Sequence, residues 1–289
     1  MDDFEDLTPA RYAVTPDAIE IGDQRRDLFG ANQRLSLDDI GELGVGTGDS
    51  IGIVLRNDFA FFEASYAAQR LGAYSVPVNW HGKTQEIAYV LNDCGAKAVV
   101  AHVDLLPEVV PAMPSGVPLF VVPTPPEIAA AYRITDERCR PSADALQWGD
   151  LATCFPPVVG AAGRGISSMI YTSGTTGNPK GARRLDIGAD PAQLRTFLMD
   201  EVFGIAPDRV VRAVITGPLY HSAPNAYGLY AVRMGGLAVL QPRFDAEELL
   251  RLIEQYRSRT FTWCPLCLSG CCICRRRSNG STTFHRSNG

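Results

Sequence analysis

No stretch of this sequence comes near the roughly 18 uninterrupted apolar residues of a membrane span, so no transmembrane segment is expected. The opening residues, MDDFEDLTPA, are acidic and carry no apolar run, which predicts no secretory leader and a cytoplasmic protein. Positive charge is not in excess either. The chain has 27 Lys and Arg against 32 Asp and Glu, a net charge of −5, so no nucleic-acid surface is expected. Cysteine is sparse over most of the length: Cys94, Cys139 and Cys154 are scattered, as in a reducing compartment. What remains is a 289-residue chain, 46% hydrophobic and 20% charged, long enough for one large or two modest cores.

From residue 51 the pattern alternates between strand and helix. SIGIVL reads as a buried strand, and FAFFEASYAAQRLG as a helix closing on Gly72. AYSVPV reads as a strand and QEIAYVLNDCG as a helix that Thr84 can cap. AKAVVA and VPLFVV are two more strands. Residues 123–165, rich in Pro, Gly and Ala, read as a connection crossing the surface. A second alternating block follows: PAQLRTFLMDEVFG as helix, RVVRAVITG as strand, NAYGLYAVRMGG as helix and LAVLQ as strand. DAEELLRLIEQYR closes it as a helix with Asp245 and Glu248 at capping-box spacing. Such alternation predicts parallel sheets covered by helices on both faces. The expected organisation is an N-terminal segment 1–50, a first α/β subdomain 51–185, the start of a second at 190–257, and a tail 258–289 of different character. GVGTGDS at 44–50 precedes a strand instead of following one, so it reads as a glycine-rich turn and not a dinucleotide fingerprint.

The strand GISSMIY runs straight into YTSGTTGNPKG at 171–181. Gly174, Gly177 and Gly181 allow the backbone to bring N–H groups close to an anion. Thr172, Ser173, Thr175 and Thr176 add hydroxyl donors, and Lys180 adds a mobile positive charge. These residue types in this order describe a phosphate cradle. It is not the loop of P-loop NTPases, which needs Gly at 179 and Ser or Thr at 181, where this chain has Pro179 and Gly181.

YTSGTTGNPKG resembles the signature loop of the adenylate-forming enzymes: acyl-CoA synthetases, luciferases and peptide-synthetase adenylation domains. QRLGAYSVPVNWHGKTQEIAYVLNDCGAKAVV is similar to that family's early block, and PLYHSAPN at 218–225 to the motif beside its acyl pocket. Together with the pair Arg183–Arg184, these stretches look most like bacterial fatty-acid or bile-acid CoA ligases, and the resemblance runs from about residue 10 to residue 257. It implies the incomplete N-terminal domain of the acyl-CoA synthetase type, an α/β fold with two parallel-sheet subdomains, the second truncated. It also implies ATP, Mg²⁺ and CoA, and a carboxylic acid, fatty or bile-acid-like, activated as its adenylate and passed to the CoA thiol. By the same resemblance residues 172–177 would wrap the β- and γ-phosphates, with Thr172 near the metal and Lys180 beside the leaving pyrophosphate. His221 would line the junction of acyl pocket and nucleotide.

The tail departs from all of this. Cys264, Cys267, Cys271, Cys272 and Cys274 crowd into residues 264–274. One reading is a zinc- or partner-binding module on a non-catalytic phosphate-binding protein, although the three residues between Cys267 and Cys271 are few for paired zinc ligands. The reading preferred here is a reading-frame shift near Arg257. Cysteine codons begin TG, so one base earlier each residue before a cysteine becomes Leu, Met or Val, restoring an apolar pattern. The family's adenine- and ribose-binding segments and its mobile C-terminal domain lie beyond that point. The 289-residue chain is therefore expected to lack ligase activity. An adenylation domain for a different acid is the third reading.

Overall fold

The computed structural model describes residues 18–21, 24–27, 44–149, 168–172, 179–182, 211–233, 237–258 and 260–262. The helix expected at 191–204, the pair Arg183–Arg184 and the cysteine cluster lie outside them.

The first sheet is wholly parallel. Strands β3 (Ser50–Val54), β4 (Tyr74–Pro77), β5 (Ala96–His102) and β6 (Leu119–Val122) lie in the order β4-β3-β5-β6. Helix α1 (Phe59–Arg70) crosses from β3 to β4, and α2 (Thr84–Asp93) from β4 to β5. The second sheet has the order β11-β9-β10-β1-β2. Its parallel part is β9 (Arg212–Ile215), β10 (Leu237–Leu240) and β11 (Thr260–Thr262), joined by β1 (Ala18–Ile21) on the far side of β10. The edge strand β2 (Gln24–Asp27) folds back antiparallel on β1. Two features of this sheet were not expected: the N-terminal hairpin extends it, and β11 begins inside the segment of altered composition.

The two sheets face each other across one core. Ile51, Ile53, Val100 and Phe120 of the first meet Ala213, Ile215 and Leu240 of the second, with α1 and α5 (Ser222–Arg233) between them. This explains the composition of α1. FAFFEASYAAQR is buried almost all round, Glu63, Ser65 and Gln69 included, because a helix sandwiched between sheets has almost no solvent face. The Asp58 carboxylate caps its start, accepting from the Phe59 N–H at 2.6 Å, and Gly72 at φ 74° ends it. On the outer faces the helices are two-sided. Leu91 of α2 presses on the first sheet over Gly52, where a Cβ would come within 2.5 Å of its Cδ2. Leu249 and Leu252 of α6 (Ala246–Tyr256) pack on Val214 and Val239. Asp245 caps α6 by accepting from the Glu248 N–H at 2.8 Å, as its spacing predicts.

Two local expectations are corrected. Thr84 is the first residue of α2 and not its cap, and both its N–H and its hydroxyl donate to Glu108. Glu108 belongs to the short helix α3 (Leu106–Val109). It is distant in sequence, so no local pattern announces it. The part of the 123–165 segment that is described, 123–149, is not merely a surface connection. It forms helix α4 (Pro126–Tyr132) and buries Ile128 and Trp148 in the shared core. The Trp148 indole N–H donates to Glu63 of α1 at 3.2 Å, so a buried carboxylate and a buried indole satisfy each other.

Candidate functional site

A two-stranded hairpin sits beside the β4 edge of the first sheet. Strands β7 (Ile170–Thr172) and β8 (Lys180–Ala182) pair antiparallel, with Ile170 opposite Ala182, Tyr171 opposite Gly181 and Thr172 opposite Lys180. The approach to it is tied to β4 by the Met169 N–H, which donates to Ser75 O at 2.9 Å, and by the Ser75 and Ser168 hydroxyls, also 2.9 Å apart. Directly opposed residues of an antiparallel pair project to the same face. The exposed Thr172 and Lys180 are therefore presented together at the end of the described hairpin. Ser173, Gly174, Thr175, Thr176 and Gly177 lie outside the described residues.

A cleft of about 220 Å³ opens where the strands of both sheets end. Trp80 and His81 follow β4, Thr216 and Pro218 follow β9, and Pro242, Arg243 and Phe244 follow β10. Carboxyl ends of parallel strands are where α/β proteins place ligands, because crossover connections diverge there. His221 is on this wall, its ring 4.4 Å from that of Tyr220, while His81 stacks on Trp80 at 3.5 Å. Both imidazoles keep an exposed edge, yet their aromatic neighbours exclude enough water to lower both pKa values below the ordinary 6.5. For His81 the charges of Arg56 and His221 lower it further. The volume falls below the ~300–1,000 Å³ of a typical drug-sized ligand site.

Beneath it lies a buried polar network. The Arg56 guanidinium lies against two mutually perpendicular rings, 4.0 Å from the centroid of Trp80 and 4.1 Å from that of Tyr132. It donates from Nε at 3.2 Å and from Nη2 at 2.7 Å to Asp104 Oδ2, while the Thr124 hydroxyl donates to Oδ1 at 2.7 Å. The Arg56 backbone N–H donates to His102 Nδ1 at 3.1 Å, so the ring proton sits on Nε2 and is donated to Asp58 at 3.0 Å. Asn57 joins the two sheets. Its amide donates to Gly217 O at 3.0 Å and Gln241 O at 3.3 Å, and its carbonyl accepts from the Leu219 N–H at 2.9 Å. None of these residues was singled out beforehand. The available signal was position: Arg56, Asn57 and Asp58 follow one apolar strand segment, and His102 and Asp104 stand at the end of another, where α/β proteins build sites.

One wholly parallel and one largely parallel sheet sharing a core, a hydroxyl-and-lysine hairpin at one edge and an aromatic cleft at the strand ends describe an N-terminal domain of the CoA-ligase type. Over residues 40–281 the chain matches the model of the AMP-binding enzymes, and it belongs to that family. It is 26% identical over 218 residues to the long-chain-fatty-acid–CoA ligase FadD13 of Mycobacterium tuberculosis, covering 74% of this chain and 39% of that protein. A feruloyl-CoA synthase from an Amycolatopsis species is 30% identical over 215 residues, covering 74% and 38%. The fold matches o-succinylbenzoate CoA synthetase of Bacillus subtilis, solved with its acyl-adenylate intermediate, at TM-score 0.64 and 20% identity. That match covers 94% of this chain and 64% of the other. The chain thus spans about two-fifths of the length of the curated relatives it matches. Both of these curated relatives are named as enzymes that join an acid to CoA. The match runs through the cysteine-rich segment to residue 281, past Arg257 where the resemblance was expected to end, and so favours neither a separate zinc or partner module nor a wholly unrelated tail. Among the described residues no cluster of three or more His, Cys, Asp or Glu forms a metal site, and no helix is long and apolar enough to cross a membrane.

Proposed function

We propose that this chain is part of an ATP-dependent acyl-CoA synthetase that activates a carboxylic acid, fatty or bile-acid-like, and passes the acyl group to CoA. The observation that carries the proposal is the pairing of Thr172 with Lys180 at the end of the β7–β8 hairpin. Joining a carboxylate to a nucleotide phosphate brings two anions together, and that requires donors and positive charge held in advance. A hydroxyl and an ammonium on one face of a rigid hairpin fit that requirement. Lys180 would neutralise the departing pyrophosphate, and the Thr172 hydroxyl would stand beside Mg²⁺, which offsets phosphate charge when bound. Ser173, Gly174, Thr175, Thr176 and Gly177 belong to the same proposed cradle. The cleft would take the part of the acyl group nearest the reacting carboxylate, with His221 on its wall. Its imidazole, held below its ordinary pKa, adds no fixed charge at neutral pH and leaves the aromatic walls suited to an apolar chain.

The frame shift after Arg257 remains part of the proposal, as does the inactivity of the 289-residue chain, and the nucleotide sequence across that codon tests the shift. The functional test is exchange of pyrophosphate into ATP with fatty acids, run on this chain and on the enzyme extended in the restored frame. Exchange by the extended enzyme and none by this chain is expected. Lys180→Ala in the extended enzyme should slow adenylation by about 10²-fold, the cost of removing one preorganised charge donor. An unchanged rate would remove Lys180 from the mechanism.

A further inference from the structure

The β7–β8 hairpin is moored from one side by a single side chain that the phosphate reading does not use. Tyr171 leaves β7, lies across its opposite partner Gly181, and reaches the last residue of α2. Its hydroxyl donates to Asp93 Oδ2 at 2.6 Å. The crossing is close: a Cβ at Gly181 would stand 2.7 Å from the ring Cζ and 2.8 Å from Cε2, so only glycine fits beneath the ring. The ring itself packs against the apolar cluster on the outer face of the first sheet. Burial, and then the bond to Asp93, push the phenol well above its ordinary pKa of 10, so it remains a donor across the physiological range.

The neighbours of this contact give it a consequence. Thr172 follows Tyr171, and Lys180 precedes Gly181 in the opposed strand. A two-stranded ribbon on its own is marginally stable and free to twist. Here the backbone tie at Met169 holds the entry of β7, and the Tyr171–Asp93 bond holds the hairpin one residue short of its functional pair. We infer that Tyr171, Gly181 and Asp93 form a latch that sets the position of Thr172 and Lys180, making Tyr171 and Asp93 positioning residues for phosphate binding. This inference rests on the reading of the hairpin as a phosphate cradle and adds what holds that cradle in place.

The experiment uses the 289-residue chain and two readouts. Amide hydrogen exchange at 170–172 and 180–182 reports the latch without any ligand, and the affinity for magnesium tripolyphosphate reports the cradle. Tyr171→Phe keeps the ring over Gly181 and removes only the hydroxyl. Asp93→Ala removes the acceptor, and Asp93→Asn keeps one. The hydroxyl's loss should speed exchange in the hairpin by about 10-fold, as for one lost hydrogen bond to a charged group. It should also weaken tripolyphosphate binding several-fold. Asp93→Ala should do the same and Asp93→Asn should restore both, a rescue that packing alone would not show. Lys180→Ala should weaken binding while leaving exchange unchanged. Unchanged exchange in both Tyr171→Phe and Asp93→Ala would overturn the latch. Faster exchange with unaltered affinity would overturn its positioning role. Failure of the unaltered chain to bind tripolyphosphate would overturn the cradle reading and this inference with it, and the exchange data would distinguish that outcome from a failed latch.

Discussion

Replacing Asn57 should loosen the two sheets from each other more than any surface change of similar size. The side chain is 4% exposed and makes three hydrogen bonds, all to backbone groups of the second sheet's loops. Asn57→Ala strands the Leu219 N–H in a buried position, which costs about 1–3 kcal/mol, and removes the donor from two carbonyls at roughly 1 kcal/mol each. The sum is about 3–5 kcal/mol, a large part of the ~5–15 kcal/mol that holds a folded protein together. With a urea dependence near 3 kcal/mol per molar, the midpoint of urea unfolding should fall by roughly 1–1.7 M. Asn57→Asp separates hydrogen bonding from volume. It keeps the acceptor for Leu219 but turns a carboxylate oxygen toward the carbonyls of Gly217 and Gln241, so it should cost at least as much. The assay is a set of urea curves followed by tryptophan fluorescence, with Trp80 and Trp148 both in the first α/β unit. A midpoint loss equivalent to under about 0.5 kcal/mol in both variants, the range of ordinary surface changes, would refute the assignment of Asn57 as the tie between sheets.

Arg56→Leu should destabilise by about 3–5 kcal/mol, because Asp104 is left charged and buried without its partner, whereas Arg56→Leu combined with Asp104→Leu should recover much of that loss in a double-mutant cycle. Stability should also fall on acidification through the histidine range. His81 and His221 have folded pKa values below 6.5, so the unfolded chain takes up protons first as pH drops, and their contribution, present above 6.5, is lost toward the lower folded values. The difference in urea midpoint between about pH 7.5 and about pH 5.5 should therefore shrink when both are replaced by glutamine, and an unaltered difference would refute the depression.

Much of the architecture could be read directly from the chain. The apolar runs at 50–54, 96–102 and 119–122 are strands buried on both faces, and such strands have no alternation to lose. The β7–β8 hairpin proposed as a phosphate cradle was legible for a different reason. The chemistry proposed for it needs glycine, hydroxyl and lysine in one contiguous stretch, and YTSGTTGNPKG holds all three. Segment 123–149 was misread because its Pro and Ala content resembles a linker, while the burial of Ile128 and Trp148 depends on a neighbouring sheet that no local window contains. Thr84 was misassigned for the same reason, since its partner Glu108 is brought alongside only by the crossover that follows β5.

By itself, then, the sequence determined the strand–helix alternation, the family and the composition of the hairpin, because each depends on residues close together along the chain. The tertiary structure decided the rest: that residues 18–21 and 24–27 complete the second sheet, that Asn57 ties one sheet to the other, and that Arg56 lies against the rings of Trp80 and Tyr132 under the cleft. The tie from Asn57 to Leu219 spans 162 positions and the ion pair from Arg56 to Asp104 spans 48. Neither leaves a periodic mark in the sequence, because hydrogen bonds and ion pairs act between groups that folding makes adjacent.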